Sequence, residues 1–68
     1  MTKIEIGKLL KERRAEVKIT QVDLSEMTDI STPIISAVEN GVSNISMGNL
    51  LEILDVLGLE LKLDIKER

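Results

Sequence analysis

The stretch from Thr20 to Gly41, TQVDLSEMTDISTPIISAVENG, leaves this chain few folds to choose from. It holds two helical periods with room between them for a tight turn and nothing larger. Thr20 stands where a helix N-cap belongs, and Asp23 three residues on gives a weak form of the capping box. Leu24 and Met27 fall on one helical face. The period breaks at Thr28-Asp29. Ser31 is a second N-cap candidate, and Pro33 follows in the first turn, where a missing N–H costs little. Ile35 and Val38 share an inward face, and Gly41 takes the place of a left-handed C-cap. The spacing predicts helices over about 21–28 and about 32–40, and so short a link makes them cross steeply.

That is the geometry of a helix-turn-helix, whose second helix is free to enter the major groove of DNA. The order Ile19-Thr20-Gln21, Leu24, Ile30-Ser31, Ile35-Ser36, Val38-Glu39 and Asn40-Gly41 resembles the phage-repressor/Cro (XRE) helix-turn-helix family. The match extends back through Ile6-Gly7 and Arg14 and forward through Leu50-Leu51 to Leu57-Gly58. The resemblance implies a compact, mainly α bundle of about four helices, like the lambda repressor, over residues 1–58. It implies DNA contacts at Thr20, Gln21, Ser31, Thr32, Pro33, Ser36, Ala37, Asn40, Ser43 and Asn44. In the family the position of Gln21 bonds phosphate and braces the reading helix, and those of Thr32, Pro33 and Ala37 face base edges. None of these three makes the bidentate contacts of Arg with guanine or Gln with adenine. Thr and Ala touch thymine methyls and Ser36 bonds either base type, so direct readout is modest and DNA shape contributes the rest. Arg14 and Glu39 match a family pair that ties the first helix to the reading helix; the plainer reading leaves both exposed. Lys18 and Asp29 stand where the family commonly has glycine, at positions expected to need positive φ.

Composition narrows the chemistry. The chain has 68 residues, one domain's worth, and a core that thin is marginal without a partner. It has no cysteine, no histidine and no aromatic residue, so disulfides, thiolate metal sites and the commonest general base are all missing. No metal, cofactor or enzymatic activity is expected. No signal pattern and no membrane-spanning run is visible, which suits a soluble cytoplasmic protein. The net charge is −3, and its distribution matters more than its size. Lys3, Lys8, Lys11, Arg13, Arg14 and Lys18 crowd the first 18 residues, whereas residues 19–61 hold seven acids and no base. Attraction to phosphate must then come from the first helix, helix N-termini and neutral donors.

Ile6, Leu9, Leu10, Arg13 and Val17 make residues from about 2 to 18 an amphipathic helix. Ser46 caps a last helix over 47–57, with Leu50, Leu54 and Leu57 as its core stripe; Ile53 and Val56 widen the apolar surface toward a second partner. From Leu59 to Lys66 apolar and charged residues alternate without exception, a period of two that predicts a β-strand. A lone strand satisfies neither its hydrogen bonds nor its apolar face, so residues 59–68 read as a strand and tail pairing with the same segment of a second copy. A two-fold register centred on Leu63 sets Lys62 against Asp64, Glu60 against Lys66 and Leu61 against Ile65. Ile53, Val56, Leu59, Leu61, Leu63 and Ile65 would then form the dimer interface, with the four tail residues one apolar face over the helices. Helices followed by a dimerising strand most resemble the HipB-type antitoxins.

The leading expectation is thus a dimeric, sequence-specific repressor binding double-stranded operator DNA. The HipB resemblance adds an antitoxin role and a HipA-like Ser/Thr kinase toxin as partner. The acidic, Arg-free reading helix sustains a second expectation, a protein-interaction module that kept the fold and lost strong DNA contacts.

Overall fold

The computed structural model describes residues 1–67, which form α1 (Lys3–Glu16), α2 (Gln21–Thr28), α3 (Thr32–Glu39) and α4 (Met47–Val56). Each helix begins at a hydroxyl side chain. Thr2 and Thr20 form full capping boxes with Glu5 and Asp23: each hydroxyl accepts from the N3 backbone N–H, and each carboxylate accepts from the cap N–H. Ser46 caps α4 through the Asn49 N–H, whereas the Ser31 hydroxyl makes no cap bond. The helices end in left-handed residues. Lys18 (φ 59°) and Asp29 (φ 58°) both adopt the positive φ expected of them, as do Gly41 (φ 73°) and Gly58 (φ 69°).

Leu10, Leu24, Ile30, Ile35, Val38, Ile53, Leu54 and Leu57 form the buried core, to which all four helices contribute. α3 packs on both α1 and α2, and α2 on α4. Gly7 sets the distance between α1 and α3. A Cβ there would lie 2.6 Å from the Glu39 carbonyl oxygen and closer still to that of Val38, so the two backbones touch with no side chain between them. Thr28 closes α2: its buried hydroxyl donates to the Leu24 carbonyl (2.7 Å) and accepts from the Ile30 N–H (3.3 Å).

Three expectations need correction. Ile53, assigned to a dimer interface, is 1% exposed and sits in the monomer core. Where α4 packs on α2, Ile53 joins Leu54 and Leu57 in the buried core, and Val56 packs half-buried against the same core. Met27, placed beside Leu24 on the inner face of α2, is 60% exposed; Thr28 takes the inner position instead. The tail holds no β-strand among the described residues. A ladder needs a second strand, and nothing else among the described residues offers one. Nor do the four apolar tail residues lie over the helices as one face. Leu59 packs half-buried on the core, but Leu61 is exposed, and Leu63 and Ile65 are 91% and 92% exposed.

Candidate nucleic-acid interface

The inner face of α3 is fixed by Ile35, Val38 and Glu39, all buried. Helical spacing therefore turns Pro33, Ser36, Ala37 and Asn40 outward as one stripe, with positions at i, i+3, i+4 and i+7. Pro33 and Asn40 are exposed, Thr32, Ser36 and Ala37 half-buried, and Ile34 is exposed beside them. Ahead of this stripe Ser31 is exposed with its hydroxyl free of the helix; behind it Ser43 is half-buried and Asn44 exposed in the loop to α4. Thr20 and Gln21 stand at the start of α2, Thr20 engaged in its capping box.

One charged cluster holds the stripe in place. The Arg14 Nε donates to Glu39 Oε2 (2.7 Å) and Nη2 to Glu39 Oε1 (3.0 Å), a two-pronged ion pair linking α1 to α3. The remaining Nη1 donates to the Ile19 carbonyl (2.9 Å). Gln21 Nε2 donates to Glu39 Oε1 (3.1 Å), so α2 joins the same carboxylate. Burial pushes the Glu39 carboxyl up, but the hydrogen bonds from Arg14 and Gln21 outweigh it and hold Glu39 below the ordinary glutamate range. The bond to Glu39 in turn raises the Arg14 guanidinium. Glu39 is the one charged residue of α3, TPIISAVE, and it is turned inward, so the outward stripe bears no formal charge. At the start of α2 the Thr20 backbone N–H and hydroxyl hold Asp23 below its usual range, so that helix end already carries an anion of its own.

The structure also brings together residues that the sequence keeps far apart. The first turn of α1 lies against the loop after α3: a Cβ on Gly41 would sit 2.7 Å from the Ile4 Cα. Lys3 donates from its Nζ to the Asn44 amide oxygen across 41 positions. Arg13 reaches the other end of the bundle, where its Nε donates to the Leu57 carbonyl (2.8 Å). No period or motif announces these contacts; only Gly7 and Gly41, glycines where a helix former or a side chain would otherwise serve, hint that backbones meet there.

Two short helices crossing at a tight turn, the second with an uncharged outward stripe, define a DNA-binding helix-turn-helix module of the XRE type. The chain belongs to the helix-turn-helix family, whose model matches residues 10–63. Among solved structures it is similar to the restriction-modification controller protein C.AhdI from Aeromonas hydrophila, with 26% identity over 85% of this chain and 88% of that one, and a TM-score of 0.80. A HipA–HipB–O2–O3 complex contains a chain that is 24% identical, covering 98% and 94%, with a TM-score of 0.87. A point mutant of the controller protein C.Esp1396I is 24% identical over 88% and 80%, with a TM-score of 0.77. The last two likenesses are of fold. The curated proteins offered no match.

Proposed function

We propose that the chain is a dimeric transcriptional repressor that binds operator DNA through α3, its sequence-reading residues being Thr32, Pro33, Ser36 and Ala37. The observation that carries this reading is the Arg14–Glu39–Gln21 cluster, which fixes the outward stripe of α3 from both α1 and α2. Thr20, Gln21, Ser31, Asn40, Ser43 and Asn44 flank that stripe with neutral donors for phosphate. Residues 1–58 form the DNA-binding unit and 59–68 the dimerising tail, paired in the Leu63-centred register across a two-fold axis. Support for the dimer is the apolar surface left over in one copy. A groove of about 460 Å³ opens between α1 and α4, bordered by Leu9, Leu50 and Leu61, and the exposed Leu63 and Ile65 follow it in the chain. Leu59 borders the groove as an interface residue, and half-buried Val56 stays in the proposed interface; Ile53 does not.

The test is binding of the purified protein to DNA from upstream of its own gene over a salt series. Saturable binding that prefers this DNA to random duplex is expected, with a log–log slope shallower than the roughly −10 of a strongly basic repressor. Absence of binding at low salt refutes the reading. It would favour the protein-interaction module, for which the specific observation is the apolar part of the exposed surface of α3, Pro33 and Ile34. HipB in its complex accompanies HipA, and the likeness to it motivates a HipA-like kinase toxin as partner here, and with it an antitoxin role. The gene beside this one distinguishes that assignment from control of a restriction-modification system. No helix among the described residues is long and apolar enough to cross a membrane.

A further inference from the structure

The helix-turn-helix and the loop after it contain no Lys or Arg, yet one cation reaches that loop from elsewhere. Lys3, at the start of α1, places its ammonium on the Asn44 amide oxygen. The placement is set by backbone contact. Gly41, left-handed at φ 73°, packs directly on the Ile4 Cα, so the first turn of α1 is seated against the loop. Lys3 and Ser43 border the same small cleft of about 50 Å³, with Ile6 and Ile45 in its wall. The nearest acid along α1, Glu5, is turned back onto the Thr2 N–H. Residues 40–51 hold no acid at all. The other cations of α1 whose contacts are shown serve the fold: Arg14 is consumed by Glu39 and Arg13 by the Leu57 carbonyl.

From this juxtaposition we infer that Lys3, Ser43 and Asn44 form a phosphate clamp at the C-terminal end of the reading helix, with Lys3 supplying the charge. An Asn44 oxygen held by the ammonium leaves the amide N–H groups free to donate, and the Ser43 hydroxyl and the two other ammonium protons complete a set of donors. A DNA phosphate is the anion it fits, because the loop follows directly from α3 and a contact there fixes the register of the stripe on the duplex. Lys3 is a positioning residue and carries no sequence preference. The inference rests on the proposed DNA binding and adds a residue to it.

The experiment compares the full chain with Lys3→Gln, Lys3→Arg and, on another face of α1, Lys8→Gln. Each is titrated with upstream DNA and with a random-sequence duplex between 50 and 200 mM salt, and each is melted. One phosphate contact contributes about 0.9 to the log–log slope and a dimer carries two such clamps, so this salt change should weaken the unaltered dimer ~12-fold more than the Lys3→Gln dimer. Lys3→Gln should lose affinity for both duplexes by the same factor, Lys3→Arg should keep the slope, and Lys8→Gln should match the unaltered protein. A loss of melting temperature in Lys3→Gln with an unchanged slope makes the contact purely structural and overturns the clamp while leaving DNA binding intact. Equal slope losses in Lys3→Gln and Lys8→Gln overturn it as well, since a general field would then act in place of a clamp. If the unaltered protein binds neither duplex, the clamp and the DNA-binding reading fall together.

Discussion

Glu39 accepts three hydrogen bonds while its side chain is 3% exposed, so its value to the fold lies in what it would leave behind. Glu39→Ala strands the Arg14 guanidinium with the Ile19 carbonyl as its one other partner. Removing one member of such a pair costs about 3–5 kcal/mol, against a total of ~3–10 kcal/mol for a domain of this size. We expect the variant to be largely unfolded or to melt far lower; a shift of a degree or two would mean that water compensates the pair. The same carboxylate makes stability depend on acid. Its pKa is lowered in the folded state, so its contribution is whole above the unfolded value of about 4.3 and fades as pH falls through the lower, folded value. Urea midpoints measured from pH 6 downward should therefore fall more steeply for the native protein than for Glu39→Gln. Lys18 and Asp29 offer the opposite sign. Left-handed backbone costs a side chain ~1–2 kcal/mol, and glycine returns part of that gain through chain entropy. Lys18→Gly should raise stability by up to ~1 kcal/mol and Asp29→Gly by less, because Asp tolerates this conformation better. An unchanged midpoint in Lys18→Gly would show that the turn carries no strain.

Among the elements, the contact of α1 with α3 depends on the missing side chain at Gly7. Alanine favours a helix interior by about 1 kcal/mol, yet here its methyl would press on the Val38 and Glu39 carbonyls. Overpacking of this kind costs ~1–3 kcal/mol, and moving α3 away also stretches the Arg14–Glu39 bonds. Gly7→Ala should lower the melting temperature despite its propensity gain, and a rise would mean that the helices part freely. The caps and breaks of these elements were legible because they are local. Thr20 with Asp23, Ser46 and Gly41 declare themselves within four positions of where they act, whereas the left-handed Lys18 and Asp29 were legible only through the family resemblance, which has glycine at those positions. What was not legible is which way a broad apolar surface turns. Ile53 and Val56 extend the α4 stripe whether the cover is α2 or a second chain, and the period is silent on the choice. Met27 and Thr28 are adjacent, and a helix of eight residues admits either as its inner edge; the hydroxyl won because it also closes the turn to Ile30. The contact of Lys3 with Asn44 spans 41 positions and follows from tertiary packing alone.

For the whole molecule, an alternating tail that stays unladdered in one copy makes assembly the open variable. Exposed Leu63 and Ile65 beside an apolar groove should bring two copies together. Burial of large side chains is worth ~1.5–3 kcal/mol each before ordering is subtracted, while the cross-strand charges add tenths and select the register. Sedimentation should show a dimer that Leu63→Lys converts to a monomer with weaker DNA binding. In a single-cysteine scan position 63 should crosslink to its own copy most readily, and preferential bridging at 61 or 62 would refute the register. The inward turn of Glu39 reaches furthest at this scale. With its one charge spent on Arg14 and Gln21, in the proposed DNA complex α3 would meet the base pairs as a neutral surface. Tightness and choosiness then come from separate parts of the protein. Salt changes how strongly the phosphates are held, whereas the ratio of affinities for two competing sites should stay flat across the same range, so a cell shifting its ionic strength would turn this regulator's occupancy up or down without redirecting it to other sites.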